Sequence, residues 1–279
     1  MSSDQLHYDG LIVDLDGVVW LGGEPIDGSV QAIEELRVRG IRIVFVTNNS
    51  GRSREEHAAV LTEIGVLASS ADVVTSVAAM ARFLRSQRGL AGGRVLVIGG
   101  PPTIEEFERA GFQLVAAAHG FVPDAVVVAG HIGFDYEELA AATAAVRAGA
   151  PLYGTGRDAV YPTPEGLLPA TGAILAAVEV ASGVTATVIG KPEPFIFEVA
   201  RESLVACERV AVVGDHLISD ISGARKAGLG AILVLTGAAT RDELEGAAIQ
   251  PDLVVPNLAA LVEGARGAAA GASRAPRQG

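Results

Sequence analysis

The chain has 279 residues, 49% of them apolar and 19% charged, a globular composition with length enough for one large domain or two. Its net charge of −12 repels nucleic acid and anionic membrane surfaces, so neither is an expected partner. The lone cysteine, Cys207, excludes an intramolecular disulfide and fits a reducing compartment. The N-terminus has no basic-then-apolar leader pattern, and no apolar run nears the ~20 residues of a membrane span; a cytoplasmic protein is expected.

The first strong pattern is Gly10-Leu11-Ile12-Val13-Asp14-Leu15-Asp16-Gly17, a short apolar run ending in carboxylates and a glycine. Such runs read as buried parallel strands. Residues 30–40 then have apolar residues near helical spacing and end in Gly. A second buried run, 41–46, closes on Thr47-Asn48-Asn49-Ser50. Residues 53–64 predict a helix with Ser53 as N-cap and Glu56 completing a capping box. The alternation continues with strands at 95–98, 125–128, 152–153, 188–189, 210–213 and 231–235. Helices are predicted at 103–110, 136–148, 172–182, 194–204 and 220–227. This order predicts a parallel α/β sheet with helices on both faces. The Ala, Gly, Arg, Pro and Ser tail at 264–279 has no apolar periodicity and is expected to be disordered.

Ligands of an open α/β sheet sit beyond the carboxyl ends of its strands. Those ends carry Asp14 and Asp16, then Thr47, Asn48 and Asn49, then Lys191, then Asp215 with Asp220 close behind. Several carboxylates within ~4–6 Å raise one another's pKa, and a hard divalent cation offsets that; Mg2+ suits carboxylates together with substrate phosphate. The ion would also attract a phosphate that the net charge repels. Gly17 permits a sharp turn, so Asp16 can lean over the site while Asp14 stays at the strand tip. One carboxylate can then attack phosphorus while the other protonates the leaving oxygen. Thr47 and Asn48 can donate to phosphoryl oxygens, and Lys191 supplies a point charge. Only two lysines, Lys191 and Lys226, stand among the 21 basic residues; the first is read as a chosen ammonium and the second as chance.

Asp14-Leu15-Asp16-Gly17-Val18, Thr47-Asn48-Asn49-Ser50, Gly190-Lys191-Pro192, and Gly214-Asp215 followed by Asp220 resemble the four ordered motifs of the haloacid dehalogenase (HAD) superfamily. The Thr-Asn-Asn-Ser form, with Gly166-Leu167-Leu168-Pro169 and Gly172-Ala173-Ile174-Leu175-Ala176-Ala177, resembles its subfamily IIA of small-molecule phosphatases. Each motif alone is weak, but four in order, each after a predicted strand, are specific.

The resemblance implies a Rossmann-like, doubly wound core at 1–85 and 187–263, with a C2-type α/β cap inserted at 86–186. It implies a Mg2+-dependent phosphatase that acts on a small phosphorylated metabolite through an aspartyl-phosphate. Asp14 would be the nucleophile and Asp16 the acid/base. The metal would be held by Asp14, the Asp16 carbonyl and Asp215, with Asp220 supporting from behind. Thr47, Asn48, Asn49 and Lys191 would bind the phosphate, and 18–24 would form a hairpin flap. A homodimer through the cap is also compatible with the resemblance. Departures from the family pattern are His131 where Asp is common, Gly156 where Asn is common, Pro169-Ala170-Thr171-Gly172 for Pro-Gly-Ala-Gly, and His216 where Arg is common. Most lie in the cap, where they bear on the substrate rather than the chemistry.

Plainer readings stand beside these. Paired Asp after a strand is good turn material, and Asp215 or Asp220 could cap the following helix. Trp20 is either buried packing or a substrate contact. His131 is a candidate substrate contact, and His216 a candidate for tuning Asp215. His7, His57 and His119 read as ordinary core or surface residues. Arg157 and Asp158 either line the cap or pair with each other. A phosphate-binding regulatory module, a phosphotransferase and a phospho-acceptor domain remain open alternatives at this point.

Overall fold

The computed structural model describes residues 8–87, 89–116, 121–163 and 166–262. The expected disordered tail, His7 and His119 lie outside the described residues.

The chain opens with β1 (Gly10–Asp14), followed by a small hairpin, β2 (Trp20–Leu21) and β3 (Glu24–Pro25), where the flap is expected. Then come α1 (Ser29–Val38), β4 (Arg42–Thr47), α2 (Arg54–Glu63), β5 (Val73–Thr75) and α3 (Ser76–Ser86). The capping box of Ser53 and Glu56 starts α2 as predicted.

A second run holds β6 (Arg94–Ile98), α4 (Pro101–Arg109), β7 (Gln113–Leu114), β8 (Ala125–Val128), α5 (Tyr136–Arg147) and β9 (Leu152–Gly154). It continues with the hairpin β10 (Val160–Thr163) and β11 (Gly166–Pro169), then α6 (Thr171–Ser182) and β12 (Thr187–Val188). The last stretch is α7 (Pro194–Glu202), β13 (Val210–Gly214), a π-helical turn at Leu217–Ser222, α8 (Gly223–Lys226), β14 (Gly230–Val234), α9 (Arg241–Gly246) and β15 (Leu253–Val255).

Two parallel sheets result. The larger has the order β15-β14-β13-β1-β4-β5 and the smaller β12-β9-β8-β6-β7. In the larger sheet the chain winds outward from β1 through β4 and β5, then returns to the other side of β1 at β13. The winding therefore reverses beside β1, where open α/β sheets bind ligands. Leu11 and Val13 pack on one face with Leu36, Phe45 and Leu61. Ile12 packs on the other with Val44, Met80 and Phe197. Burial on both faces explains why this strand is apolar throughout; each such side chain contributes about 1.5–3 kcal/mol. Val95, Ala125 and Val127 of the smaller sheet join the same apolar cluster as Met80 and Phe197. Its opposite face buries Leu96, Val126, Val128 and Leu175.

Every predicted strand and helix has a counterpart within a few residues. The elements absent from the sequence reading are α3, an 11-residue helix with six buried residues, and the short elements β5, β7, β15, α9 and the β10–β11 hairpin. One predicted helix differs in kind, since 220–227 is reached through the π-helical turn that starts at Leu217. Among the described residues, no helix is long and apolar enough to cross a membrane.

Candidate active site

The parallel strands deliver their C-terminal ends to one edge. Asp14 ends β1 and Thr47 ends β4, with Asp14 paired to Val46, the neighbour of Thr47. Asp215 follows β13 directly, and Lys191 follows β12 across Gly190. A Cβ at Gly190 would overlap the Thr155 carbonyl and the Asn48 side chain, so only glycine lets this turn pass.

Asp14, Lys191, Asp215 and Asp220 are all buried and meet in one cluster. Lys191 Nζ lies 2.7 Å from Asp14 Oδ2 and 2.7 Å from Asp220 Oδ1. Asp14 Oδ1 accepts the Leu15 N–H at 2.8 Å. Asp220 Oδ2 accepts the His216 N–H at 3.0 Å, which commits both oxygens of that fully buried carboxylate. Asp215 Oδ2 accepts the Ala238 N–H at 2.6 Å. It rests against Gly17 and Gly237, where a Cβ at either would overlap its carboxylate. Gly17 also has φ +83°, a conformation other residues rarely adopt.

The electrostatics follow from this crowding. Carboxylate oxygens of Asp14, Asp215 and Asp220 lie within 4.8 Å of one another, and one lysine faces all three. Burial pushes Asp14 well above the carboxylate range; Lys191 opposes this, and Asp220 and Asp215 add to it. Burial and then the Asp220 charge push Asp215 up to about 6, against the Ala238 N–H. Desolvation disfavours the Lys191 ammonium, but Asp14 and Asp220 outweigh it and raise its pKa. Three carboxylates thus share one ammonium in a low-dielectric setting. All-oxygen, carboxylate-rich donors with uncompensated charge fit a hard divalent cation. Asp14, Asp215 and Asp220 stand close enough to share such an ion, although both oxygens of Asp14 and both of Asp220 already have partners in the protein.

Asp16 is only partly buried, one turn beyond Asp14. Its Oδ1 accepts the Trp20 Nε1–H at 2.9 Å. Trp20 is 1% exposed, which corrects its reading as a substrate contact: the indole is sealed inside and its polar tip is used on Asp16. Thr47 is buried and its Oγ1 accepts the Asn49 N–H at 3.0 Å, leaving the hydroxyl proton to donate.

Asn48 and Asn49 differ from expectation. Asn48 Oδ1 accepts the Lys191 N–H at 2.9 Å, and its Nδ2 donates to the Lys191 carbonyl at 3.0 Å and to Asp158 Oδ2 at 2.7 Å. Its side chain braces the lysine turn and reaches the smaller sheet's segment, so it is not directed at a phosphate. Asn49 Oδ1 accepts the Gly51 N–H at 2.9 Å and shapes the turn. Sequence reasoning had no signal for these partners, which lie on other segments or depend on turn geometry.

The smaller sheet approaches this edge through a few polar contacts. Ser50 Oγ donates to the Gly130 carbonyl at 2.7 Å. His131, next in the chain, has Nε2 3.1 Å from Glu138 Oε2 and packs edge-on against Phe134; these contacts tie it to the start of α5. Arg157 forms a two-pronged pair with Glu179, at 3.0 and 2.8 Å, and not with Asp158. His216 caps the π-helical turn, Nδ1 accepting from Ile218 N–H at 3.2 Å. Lys226 pairs with Glu193 on the surface at 3.0 Å. The sequence reading also missed the loop after β14, where Thr236 Oγ1 donates to the Gly17 carbonyl at 2.6 Å; a Thr-Gly pair ending a buried strand was the available signal.

A family model described as haloacid dehalogenase-like hydrolase matches residues 11–113, and a second HAD-hydrolase-like model matches residues 188–261. An acid sugar phosphatase of Staphylococcus saprophyticus is 36% identical over 258 residues, covering 92% of this chain and 98% of that protein. The chain belongs to the haloacid dehalogenase-like hydrolases. Within that family it is a subfamily IIA phosphatase. The D-glycerol 3-phosphate phosphatase of Mycobacterium tuberculosis is 40% identical over 239 residues, 85% of this chain; the HAD-like chain spans 65% of that longer protein. A crystal structure of a glycerol phosphate phosphatase from the same organism, in complex with magnesium, superposes with a TM-score of 0.85 at 37% identity, over 91% of this chain and 76% of that one.

Proposed function

We propose that this phosphatase hydrolyses phosphate monoesters of small polyols or sugars, with Mg2+, through an aspartyl-phosphate on Asp14. The observation that carries the reading is the buried group of Asp14, Lys191 and Asp215 at the sheet edge, with Asp16, two residues after Asp14, partly exposed. The names of the relatives, glycerol phosphate and acid sugar phosphatases, support the substrate class.

Asp14 attacks phosphorus as the bond from phosphorus to the leaving oxygen breaks. Asp16 delivers its proton to that oxygen. Asp16 then accepts a proton from a water whose oxygen attacks the same phosphorus, and the Asp14 carboxylate departs. Lys191 opposes the rise that burial imposes on the Asp14 pKa and faces charge that spreads over the phosphoryl oxygens. The Thr47 hydroxyl and the Asn48 backbone N–H would supply donors, the Asn49 N–H being spent on Thr47 Oγ1. When bound, Mg2+ neutralises the carboxylates and polarises the phosphoryl group; Asp14, Asp215 and the Asp16 carbonyl would hold it, with Asp220 fixing Lys191.

Residues 86–186 are assigned to the cap and 1–85 with 187–263 to the core. The pairing of β12 (Thr187–Val188) with β9 in the smaller sheet favours a return to the core a few residues later than 187. A hydrolysis panel of glycerol 3-phosphate, sugar phosphates, phosphoglycolate, pyridoxal phosphate and nucleotides tests the reading. Magnesium-dependent release of phosphate from the polyol and sugar esters is expected; release from none of the panel overturns it.

A further inference from the structure

Trp20 and Asp16 are tied twice. The indole Nε1–H meets Asp16 Oδ1 at 2.9 Å, and the Gly17 N–H donates to the Trp20 carbonyl at 2.7 Å, closing the turn between them. Trp20 is sealed from solvent while Asp16 is partly exposed, so the tether acts from the buried side. Behind the indole, the ring of fully buried His57 stacks in parallel, 6.3 Å between centroids and 6° between planes. Burial holds the His57 pKa down, against the Asp16 charge and the Asn49 backbone, so a neutral ring supports the stack.

An indole N–H only donates. The Asp16 oxygen that faces it must therefore accept, and a transferable proton has to sit on the other oxygen. We infer that Trp20, backed by His57, is a positioning residue that turns Asp16 Oδ1 inward and leaves Oδ2 as the oxygen that gives and takes the proton. The inference rests on the acid/base reading of Asp16 above. In the first step the proton moves from Oδ2 to the leaving oxygen as its bond to phosphorus breaks and the Asp14–phosphorus bond forms. In the second step Oδ2 takes a proton from the attacking water as that bond breaks.

The consequence depends on the leaving group. An alkoxide such as that of glycerol needs the proton as it departs, whereas 4-nitrophenolate leaves without one. Single-turnover release of glycerol from glycerol 3-phosphate and of 4-nitrophenol from 4-nitrophenyl phosphate, with excess enzyme and Mg2+, isolates the first step. Two variants remove the N–H: Trp20→Phe, and a replacement of Trp20 by 3-benzothienylalanine, which keeps the ring size and puts sulfur in place of the N–H.

Glycerol release is expected to fall about tenfold or more beyond any fall in nitrophenol release, out of the ~10²–10⁴ that a general acid supplies, with KM little changed. Asp16→Asn shows the same selectivity, more strongly. Equal losses on both substrates, no loss, or a loss carried by KM overturns the positioning role. Should Trp20→Phe unfold below the assay temperature, the benzothienyl variant decides. An Asp16→Asn enzyme without selectivity would instead sink the acid reading and the inference with it; selectivity there but not at Trp20 sinks the inference alone.

Discussion

Lys191 Nζ and Asp14 Oδ2 lie 2.7 Å apart, both buried, at the point where the winding of the larger sheet reverses. The ammonium opposes the rise that burial imposes on the carboxylate, and the carboxylates keep the ammonium protonated.

Asp14→Asn preserves shape and removes the proposed nucleophile. Turnover is expected to fall on the order of 10⁴-fold or more, while the thermal midpoint holds or rises, because one of three crowded negative charges is gone. Activity within tenfold of the parent would contradict the assignment.

Lys191→Met strands Asp14 and Asp220 without their cation. Removing one partner of a buried charge cluster costs roughly 3–5 kcal/mol, so urea unfolding should shift strongly in metal-free buffer. An unchanged midpoint would mean that the ammonium is not what balances these carboxylates.

Mg2+ binding should stabilise the protein by mass action, about 2.7 kcal/mol at a hundredfold excess over Kd. Differential scanning calorimetry reads this without any substrate. Asp215→Asn should abolish the shift, and a chelator should reverse it in the parent; a shift that persists in the variant places the ion elsewhere.

Asn48→Ala removes hydrogen bonds that join the Thr47 turn to Lys191 and Asp158. A loss of about 1–3 kcal/mol in stability is expected. A rise in KM with stability unchanged would instead favour direct phosphate binding by the side chain.

His57 has a folded pKa below that of a free histidine, chiefly from burial. A depressed folded value means that the unfolded chain takes up the proton first. Stability is then full above the ordinary histidine value of about 6.5 and declines as pH falls through it, by up to about 1.4 kcal/mol per unit. Denaturant titrations at about pH 7 and pH 5 measure the slope, and His57→Asn should flatten it; an equal slope in the variant would rule out His57 as its source.

Much of this protein was legible in the residue order. Buried parallel strands are continuous apolar runs, so β1, β4, β6, β8, β13 and β14 announced themselves. The carboxylates, threonine and lysine at their tips followed from the rule that such strands end at the ligand edge. That local chemistry also indicated a divalent ion and a phosphate. Tertiary structure alone decided who holds whom. The Asn48 side chain goes to residues 110 and 143 positions away in the chain. Trp20 is turned inward onto Asp16 by a hairpin too short to show periodicity. Arg157 prefers Glu179 on the neighbouring helix to the adjacent Asp158. A sequence pattern records which face of an element is apolar, because burial acts on each residue's own surface. A polar side chain's partner depends on the direction in which distant segments present their donors, and that direction exists only once the sheets have packed.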